Sequence, residues 1–372
     1  MTKYKTWIEL SQNSLKSNIN LFRRLLDPKT RLWAVVKSNA YGHGLGDFSK
    51  IASKFGVDGF CVDSIIEGIK LRKIGIKKTI LVLGPSIIGD SLGLAQKNNI
   101  IISISSLEAL KIYLKSKLKP DFHLKIDTGM HRQGVQLENL EETINFIKNN
   151  NLPIKGVFTH FASAKNIDDQ KFTELQFENF KRAIATLEKN GFKNLIKHCS
   201  ATGGTLLGKK YHLDAVRIGI GLYGIWPSEE LESQLKNKLE LSPVLSWKSL
   251  ISEVKLIKKD EFIGYDQTEK LLEDKRISIV PIGYWHGFNR SLSRVGEVLV
   301  RGKFARVLGM VSMDMITIDV SKIDNVKIGD EVVLIGEQNS ERLSLHKISE
   351  LAKVSKYEFV TRINPLIKKI VI

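Results

Sequence analysis

A lysine stands where an apolar run of the sequence gives way to a loop that contains glycine. The run at residues 33–36 ends in Lys37, and Tyr41, Gly42 and Gly44 follow closely. A desolvated lysine amine loses its preference for the charged form and becomes a nucleophile, which suits it to Schiff-base chemistry. Most strand-end lysines simply reach solvent, but glycines let a backbone approach a phosphate group closely. The combination therefore predicts a Schiff-base lysine beside a phosphate-binding loop.

The elements that would position this lysine are short apolar runs, which recur at intervals of roughly 20 to 35 residues. Segments with helical spacing separate them, such as the one in which Leu15, Ile19 and Phe22 share a face. Eight strands alternating with helices predict a (β/α)8 barrel, whereas a doubly wound open sheet normally has fewer strands and a less even rhythm. The eight runs occupy residues 32–37, 59–62, 79–83, 100–104, 122–126, 155–159, 195–199 and 215–219.

The pattern of the sequence changes after about residue 235, where strand-like blocks follow one another with turns between them. One helix is expected near residues 344–353 and a last strand at 357–363, while residues 4–10 also have a strand pattern. We therefore predict two domains, a barrel at residues 11–235 and a mostly β domain at 1–10 plus 236–372. The strand blocks occupy residues 245–257, 277–284, 297–300, 304–309, 315–320 and 331–335.

Polar residues cluster where the barrel strands would end, which is the edge of this fold that carries active sites. Lys37 ends the first strand, His160 ends the sixth, and Arg217 lies in the eighth. Arg132 follows the fifth strand, and the loops after the seventh and eighth strands are rich in glycine and contain Ser200. A lone histidine or arginine at such a place is usually structural. A lysine, a histidine, two arginines and a phosphate loop on one rim together indicate a pyridoxal phosphate site.

Composition restricts the class of protein. The chain of 372 residues is long enough for two domains, and its two cysteines do not form a disulfide framework. The net charge of +17 comes from lysines that are dispersed along the helical segments, without a nucleic-acid-binding motif or a metal-binding spacing. We found neither a signal peptide pattern nor an apolar stretch long enough to span a membrane. The sequence predicts a cytoplasmic protein with neither nucleic acid nor membrane as a partner.

Five motifs occur in the order and at the spacing of one known family. They are AVVKSNAYGHG, KIDTGMHRQG, the triplet at residues 159–161, VRIGIGLYG, and the block PIGYWHGFNRSLS with the later VLGMVSMDM. Through them the sequence resembles the alanine racemase family along nearly its whole length. The resemblance implies a homodimer with shared active sites, which uses pyridoxal phosphate to interconvert L- and D-alanine and supplies D-alanine for peptidoglycan. A serine or broad-specificity racemase is the first alternative. A non-catalytic pyridoxal-phosphate protein is the second, although it would have no use for Tyr265 or for the β domain.

The resemblance also assigns roles to individual residues. Lys37 would bond covalently to the cofactor and act as one base, and Tyr265 would act as the base on the opposite face of the substrate. Lys125 would be carbamylated and orient Arg132, although it could instead point outward. The cofactor-binding residues would be Lys37, Tyr41, Arg132, His160, Ser200, Arg217, Gly219 and Ile220. The substrate side would comprise Arg132 and Met313, supported by Lys125, Tyr284 and Asp314.

Three places depart from the family pattern. Ile196 and Cys199 stand where a histidine and an asparagine are usual, so that the support behind Arg217 would be rearranged, with His198 as a possible substitute. Trp285 and His286 replace an Ala-Asp pair, which could reshape the substrate entrance. Some members carry a phosphate-binding tyrosine near the position of Pro365, and this chain does not.

Overall fold

The computed structural model describes residues 4–87 and 90–372, so residues 1–3 of the predicted β domain lie outside it. Contacts divide the chain into two compact units. The barrel unit comprises Asn13–Ala40 and Phe48–Ser242. The strand-rich unit comprises Met1–Gln12, Tyr41–Asp47 and Pro243–Ile372. The segment at 41–47 thus leaves the barrel sequence and belongs to the strand-rich unit. The domain boundaries given above remain a prediction.

The elements are numbered in chain order. The helical segments are α1 (Gln12–Leu25), α2 (Lys37–Tyr41, a left-handed turn), α3 (Leu45–Lys54), α4 (Ile65–Lys73), α5 (Ser91–Lys97), α6 (Leu107–Lys115), α7 (Leu140–Asn149), α8 (Lys171–Lys189), α9 (Thr202–Leu207), α10 (Glu229–Leu235), α11 (Leu345–Leu351) and α12 (Lys356–Thr361). The strands are β1 (Thr6–Leu10), β2 (Arg31–Val35), β3 (Gly59–Val62), β4 (Thr79–Val82), β5 (Ile102–Ile104), β6 (Phe122–Lys125), β7 (Ile154–Phe158), β8 (Ile196–His198), β9 (Ala215–Ile218), β10 (Leu245–Leu250), β11 (Glu253–Ile257), β12 (Phe262–Ile263), β13 (Glu269–Lys270), β14 (Lys275–Val280), β15 (Glu297–Val300), β16 (Lys303–Leu308), β17 (Ile316–Asp319), β18 (Glu331–Gln338), β19 (Glu341–Leu343) and β20 (Lys368–Val371).

Eight parallel strands, β2 to β9, form the barrel. They make two four-stranded sheets in the orders β4-β3-β2-β9 and β5-β6-β7-β8. The two sheets join where Leu81 pairs with Ile101 and where Ala201 pairs with Arg217, both in parallel. These two joints close the ring, because the first connects β4 to β5 and the second connects the end of β8 to β9. The predicted (β/α)8 barrel is confirmed.

The strand-rich unit is built on a ten-stranded sheet that is mostly antiparallel. Its main path runs β11-β14-β17-β16-β15-β18-β10-β1-β20, and β19 pairs with β18. The leading strand β1 pairs antiparallel with β10 and parallel with the final strand β20. The predicted mostly β character of this half of the chain is therefore confirmed.

Two predictions for the strand-rich unit were wrong. The block at 245–257 is two strands, because pairing changes there: Ile251 N–H donates to Asp330 O, whereas Ser252 N–H donates to Ile279 O. The segment at 357–363 is not the last strand but mostly helix, α12. Ser355 caps this helix through its side chain, which accepts from the N–H of Glu358, the arrangement that a Ser-x-x-Glu sequence favours.

Asn18 anchors α1 to the barrel unit. Its Nδ2 donates to Leu222 O at 3.1 Å and to Ser242 O at 2.8 Å, and its Oδ1 accepts from Ser242 N–H at 2.9 Å. The side chain is fully buried. These bonds therefore fix two loop segments against one helix without help from solvent.

We expect Asn18→Ala to lower the free energy of unfolding by at least about 2 kcal/mol, because it leaves buried backbone groups without partners. Urea denaturation would measure the change. Asn20→Ala is the matched control, because Asn20 is exposed on the same helix and its loss should change stability by less than about 0.5 kcal/mol. Equal effects of the two substitutions would contradict the anchoring role.

Candidate active site

Lys37 lies at the carboxyl end of β2, at the start of a left-handed turn. Four consecutive residues with side chains have positive φ, at 54°, 57°, 51° and 49° for Ser38, Asn39, Ala40 and Tyr41. Such a conformation costs roughly 1–2 kcal/mol for each residue. It persists here with a hydrogen bond from Ala40 N–H to Val36 O at 2.9 Å. Backbone strain of this kind clusters at functional sites, which makes the half-buried Lys37 a candidate functional residue.

Arg217 is buried inside the barrel with only neutral acceptors around it. Its Nη2 group donates to Thr159 O at 2.8 Å and Cys199 O at 3.1 Å, and meets His160 Nδ1 at 3.4 Å. Its Nη1 group lies 2.5 Å from Nδ1 of His198. Within residues 4–87 and 90–372, no carboxylate forms an ion pair with this guanidinium. A buried cation without an anionic partner is expensive unless a ligand completes its contacts.

The structure brings further basic groups to the same end of the barrel. Burial, Arg132 and Arg217 lower the pKa of Lys125 to about 8, and Lys37 adds to this effect. Burial above all, and then the charges of Arg217, Lys125, Arg132 and Lys37, lower the pKa of His160 to about 3. Lys125 Nζ donates to Gln133 Oε1 at 3.0 Å and is therefore directed toward the loop that carries Arg132. The prediction that Lys37, Arg132, His160 and Arg217 gather on one rim agrees with these mutual charge effects, although their individual roles remain predictions.

The loop that carries Arg132 is organised by one carboxylate. Asp127 Oδ1 accepts hydrogen bonds from the N–H groups of Gly129, Met130 and His131 at 3.0, 3.0 and 3.1 Å. The loop closes where Asp127 N–H donates to Val135 O at 2.9 Å. The exposed side chain of Arg132 is thus presented from a loop whose backbone is tightly held.

The loops after β8 and β9 contain the residues expected to hold a phosphate. Ser200 Oγ donates to Tyr211 O at 2.5 Å, and Gly219 N–H donates to Thr202 Oγ1 at 3.2 Å. Both groups are therefore engaged within the protein, and their phosphate contacts, like that of the buried Ile220, remain predictions. Thr202 also accepts from the N–H of Gly221, so it organises this loop, a role that sequence reasoning missed.

The other expected residues lie in the strand-rich unit. Tyr265 occupies the turn between β12 and β13 and is 67% exposed. Its neighbours Gly264, Asp266 and Gln267 have φ values of 73°, 59° and 48°, so the turn is also conformationally strained. Tyr41 packs 6.2 Å from the ring of Tyr357 in the same unit.

Tyr265 lines a cavity of about 790 Å³ within the strand-rich unit. Tyr284 and Met313 line the same cavity, so three of the residues predicted from the sequence come together there. Arg290 and Arg362 also line it, and sequence reasoning missed both. Arg362 lies three residues before Pro365, in the region where a tyrosine was noted as missing.

Both halves of the chain match models of one family. The N-terminal domain of alanine racemase matches residues 10–227, and its C-terminal domain matches residues 244–371. The alanine racemase of Leptospira interrogans is 37% identical, over 99% of this chain and 96% of its own length. The alanine racemase of Methanococcus maripaludis is 36% identical, over 100% of this chain and 99% of its own length. The chain belongs to the alanine racemase family.

Solved alanine racemases share the fold. The Bacillus anthracis enzyme with bound L-Ala-P superposes with a TM-score of 0.93 at 30% identity, covering 100% of this chain and 96% of that one. The Bartonella henselae enzyme with covalently bound pyridoxal phosphate has a TM-score of 0.87 at 25% identity, covering 99% and 100% of the two chains. The family predicted from the sequence motifs is confirmed.

The departures from the alanine racemase pattern have visible structural counterparts. Cys199 is buried, burial raises the pKa of its thiol to about 12, and its Sγ lies 3.1 Å from Tyr211 O. Arg217 is contacted by the backbone carbonyl of Cys199 and by Nδ1 of His198. Ile196 is half-buried at the start of β8.

The second departure lies between two loops of the strand-rich unit. Trp285 N–H donates to Met313 O at 3.0 Å, and Nδ1 of His286 accepts from Gly283 N–H at 3.2 Å. The same Nδ1 lies 3.8 Å from a carboxylate oxygen of Asp314. The two loops that the alanine racemase resemblance assigns to the substrate side are thus joined mainly through backbone groups.

We expect Asp127→Ala to release the loop that carries Arg132. Loss of three hydrogen bonds to backbone N–H groups should speed amide hydrogen exchange at residues 129–131 by about 100-fold, which corresponds to roughly 1 kcal/mol for each bond. Asp127→Asn is the matched control, because its amide oxygen can still accept these bonds. Exchange that stays slow in Asp127→Ala would show that the loop is held by something else.

Proposed function

We propose that this protein is a pyridoxal-phosphate-dependent alanine racemase that interconverts L- and D-alanine. The observation that carries the proposal is the full-length match to both domains of the family, at 36–37% identity to curated alanine racemases. The geometry of the barrel rim supports it independently, because a strand-end lysine, a buried arginine and additional cations meet there.

The donor set fits pyridoxal phosphate. A guanidinium has five N–H donors, and the protein acceptors of Arg217 are met by its two Nη groups. No acceptor within the described residues meets its Nε–H, which is therefore available to a ring nitrogen. The surplus of positive charge around Lys125 suits a phosphate dianion and a substrate carboxylate. Lys37, Tyr41, Ser200, Gly219 and Ile220 would hold the cofactor.

Racemisation requires a proton to leave one face of the substrate Cα and to return on the other. When bound, pyridoxal phosphate supplies the electron-withdrawing ring that makes this proton removable. One base cannot easily reach both faces, so Lys37 would serve one face and Tyr265 the other. Arg132 and Met313 would position the substrate, with Tyr284 and Asp314 behind them.

Arg217 tunes both the ring and the tyrosine. Because an arginine does not give up its proton in practice, Arg217 would act toward a ring nitrogen only as a hydrogen-bond donor, and the bound ring would withdraw electrons less strongly than one with a protonated nitrogen. Arg217 must likewise donate to Nδ1 of His160, so the neutral imidazole carries its proton on Nε2. The Nε2–H of His160 would then be a hydrogen-bond donor for an ionised Tyr265.

The proposal extends to assembly and to cellular role. We propose a homodimer in which Tyr265 of the partner subunit completes the site of each Lys37, as the family resemblance implies. We also propose, on the resemblance alone, that the enzyme acts in the cytoplasm and supplies D-alanine for peptidoglycan, with neither nucleic acid nor a membrane as partner. No helix in residues 4–87 or 90–372 has both the length and the apolar content to cross a bilayer.

We expect Lys37→Ala and Tyr265→Phe each to abolish most racemisation of alanine, since general-base loss costs at least about 10²-fold. Exchanging subunits of the two inactive variants should restore about a quarter of wild-type activity, because half of the dimers are mixed and each contains one site with both native bases. The restored activity would be measured by coupling formation of D-alanine from L-alanine to an enzyme that oxidises D-amino acids.

The control for this exchange pairs Lys37→Ala with the Lys37→Ala/Tyr265→Phe double variant, which provides no site with a lysine. Mixed dimers that form but stay inactive would place both bases in one chain. A wild-type protein that does not racemise alanine at all would overturn the proposed function itself.

Lys125 is proposed to carry a carbamate. Its pKa of about 8, in place of 10.5, leaves about 300-fold more unprotonated amine at pH 7. The ammonium first loses one proton, and the amine nitrogen then adds to the carbon of CO₂ and releases a second proton. A cation thus becomes an anion beside Arg132. We expect a carbamate signal in ¹³C NMR after incubation with labelled bicarbonate, lost in Lys125→Ala and kept in Lys155→Ala, whose residue is exposed on the next strand. Absence of the signal in wild type would refute the modification.

A further inference from the structure

Lys37 is held from the strand side by buried backbone contacts. Val36 N–H donates to Cys61 O at 2.8 Å, and the hydroxyl of Tyr223 donates to Val35 O at 2.8 Å. Both Cys61 and Tyr223 are buried. The two residues before Lys37 are therefore fixed to β3 and to the segment that follows β9.

On the other side of Lys37 the chain enters the left-handed turn, a conformation that is unfavourable for residues with side chains. Ala40 N–H closes this turn by donating to Val36 O at 2.9 Å. The first N–H groups of a helical turn have no acceptor within the turn itself, so groups from elsewhere must accept from them. Such an acceptor for Asn39 is a carboxylate, because Oε1 of Glu67 accepts from its N–H at 3.3 Å.

Glu67 lies in the first turn of α4, and its second oxygen is also engaged. Ser64 caps α4 by accepting from Glu67 N–H at 3.3 Å, and Oε2 of Glu67 accepts from Asp63 N–H at 2.9 Å. In the usual capping box, the acidic side chain bonds to the N–H of the cap residue itself. Glu67 instead reaches one residue further back, to Asp63, and directs Oε1 to Asn39. The carboxylate thus bridges the beginning of α4 and the left-handed turn.

Another barrel helix, α6, shows that this acid is not required for the helix itself. Both α4 and α6 have nine residues, and in α6 Ser106 likewise accepts from the N–H three residues later. That later residue is Ala109, whose side chain cannot form a hydrogen bond. An alanine therefore suffices at this position of a serine-capped barrel helix, and the bond to Asn39 is what Glu67 adds.

Lys37 lies between two fixed points of the backbone, the end of β2 and the N–H of Asn39. Only the backbone angles of Lys37 and Ser38 separate these points, so little freedom remains for the direction in which the lysine side chain leaves the backbone. Without an acceptor for Asn39, the left-handed turn could relax toward more favourable angles, and Lys37 would rotate with it.

We propose that Glu67 is a positioning residue, which holds the left-handed turn through the N–H of Asn39 and thereby sets the direction of the Lys37 side chain for its bond to pyridoxal phosphate. The effect on the cofactor rests on the proposed function, whereas the bond between Glu67 and Asn39 does not. Glu67 touches neither the cofactor nor the substrate in this scheme. It acts through the backbone of the turn.

Amide hydrogen exchange tests the bond on cofactor-free protein, without any assay of activity. A hydrogen bond to a charged group should slow exchange of the Asn39 amide by at least about tenfold relative to an open amide, and Glu67→Ala should remove this protection. Glu67→Gln offers one amide oxygen to two N–H donors, so either Asp63 or Asn39 should exchange faster than in the wild type. An unprotected Asn39 amide in the wild type would overturn the proposal even if no variant folded.

The direction of Lys37 is tested on the protein loaded with pyridoxal phosphate. We expect Glu67→Ala to change the visible circular dichroism of the bound cofactor, which reports how the protein orients it. We also expect kcat for alanine to fall about 10- to 100-fold with little change in KM, because a displaced lysine misaligns the reacting groups.

Ser64→Ala is the matched control, because it removes the cap of the same helix without touching Asn39. It should lower the urea midpoint of unfolding, yet leave Asn39 exchange, the circular dichroism of the cofactor and kcat unchanged. If Ser64→Ala alters the cofactor signal and kcat as much as Glu67→Ala does, the effect belongs to the helix and the positioning role is wrong.

Two further outcomes separate the parts of the proposal. Fast exchange of the Asn39 amide in Glu67→Ala, together with wild-type circular dichroism and kcat, would show that Lys37 does not depend on the bond. A wild type that binds pyridoxal phosphate but does not racemise alanine would refute the proposed function, whereas the exchange and dichroism measurements would still decide the role of Glu67.

Discussion

A guanidinium cation is buried inside the barrel at Arg217, where burial lowers its pKa but cannot in practice remove its charge. The protein gives it neutral acceptors: two carbonyl oxygens and two imidazoles. The face of Phe158 lies 5.2 Å from the guanidinium carbon and adds a cation–π contact. Partners without charge hold the cation in place without neutralising it. The positive charge of Arg217 therefore remains available to attract an electron-rich or anionic ligand.

The groups around Arg217 also carry an excess of positive charge. Lys37, Lys125 and Arg132 add positive charge to this rim. Nearby cations lower the pKa of Lys125, whereas the carboxylate of Asp127 raises it. Asp127 already accepts three backbone hydrogen bonds, so it serves the loop more than the cations. The cations at this rim repel one another, and a bound anionic ligand would reduce that repulsion. The left-handed turn after Lys37 is consistent with a ligand site there, because unfavourable backbone conformations persist mainly at functional sites.

Periodic features were predictable from the sequence, and features that depend on distant pairing were not. The barrel could be predicted from eight apolar runs, because each strand is recognised from a short stretch of local sequence. The helix at Lys356–Thr361 was missed because the alternating apolar residues outweighed its Ser355-x-x-Glu358 cap. For the site, strand-end positions predicted Lys37 and Arg217 as candidate residues. The contact between His123 and His198 joins residues 75 positions apart in the sequence, so no local pattern could have shown it.

The departures from the family pattern are tolerated for two different physical reasons. At Trp285, the contacts that join its loop to Met313 and to Asn364 use the backbone N–H and carbonyl, while the side chain is 57% exposed. Almost any side chain could therefore stand there without disturbing the loop. Cys199 is different, because its backbone carbonyl accepts from Arg217 at 3.1 Å, whereas its Sγ lies 3.1 Å from Tyr211 O. The contact with the cation therefore does not depend on which side chain stands at this position. His198, the last residue of β8, supplies the side-chain acceptor beside it, with its Nδ1 2.5 Å from the guanidinium.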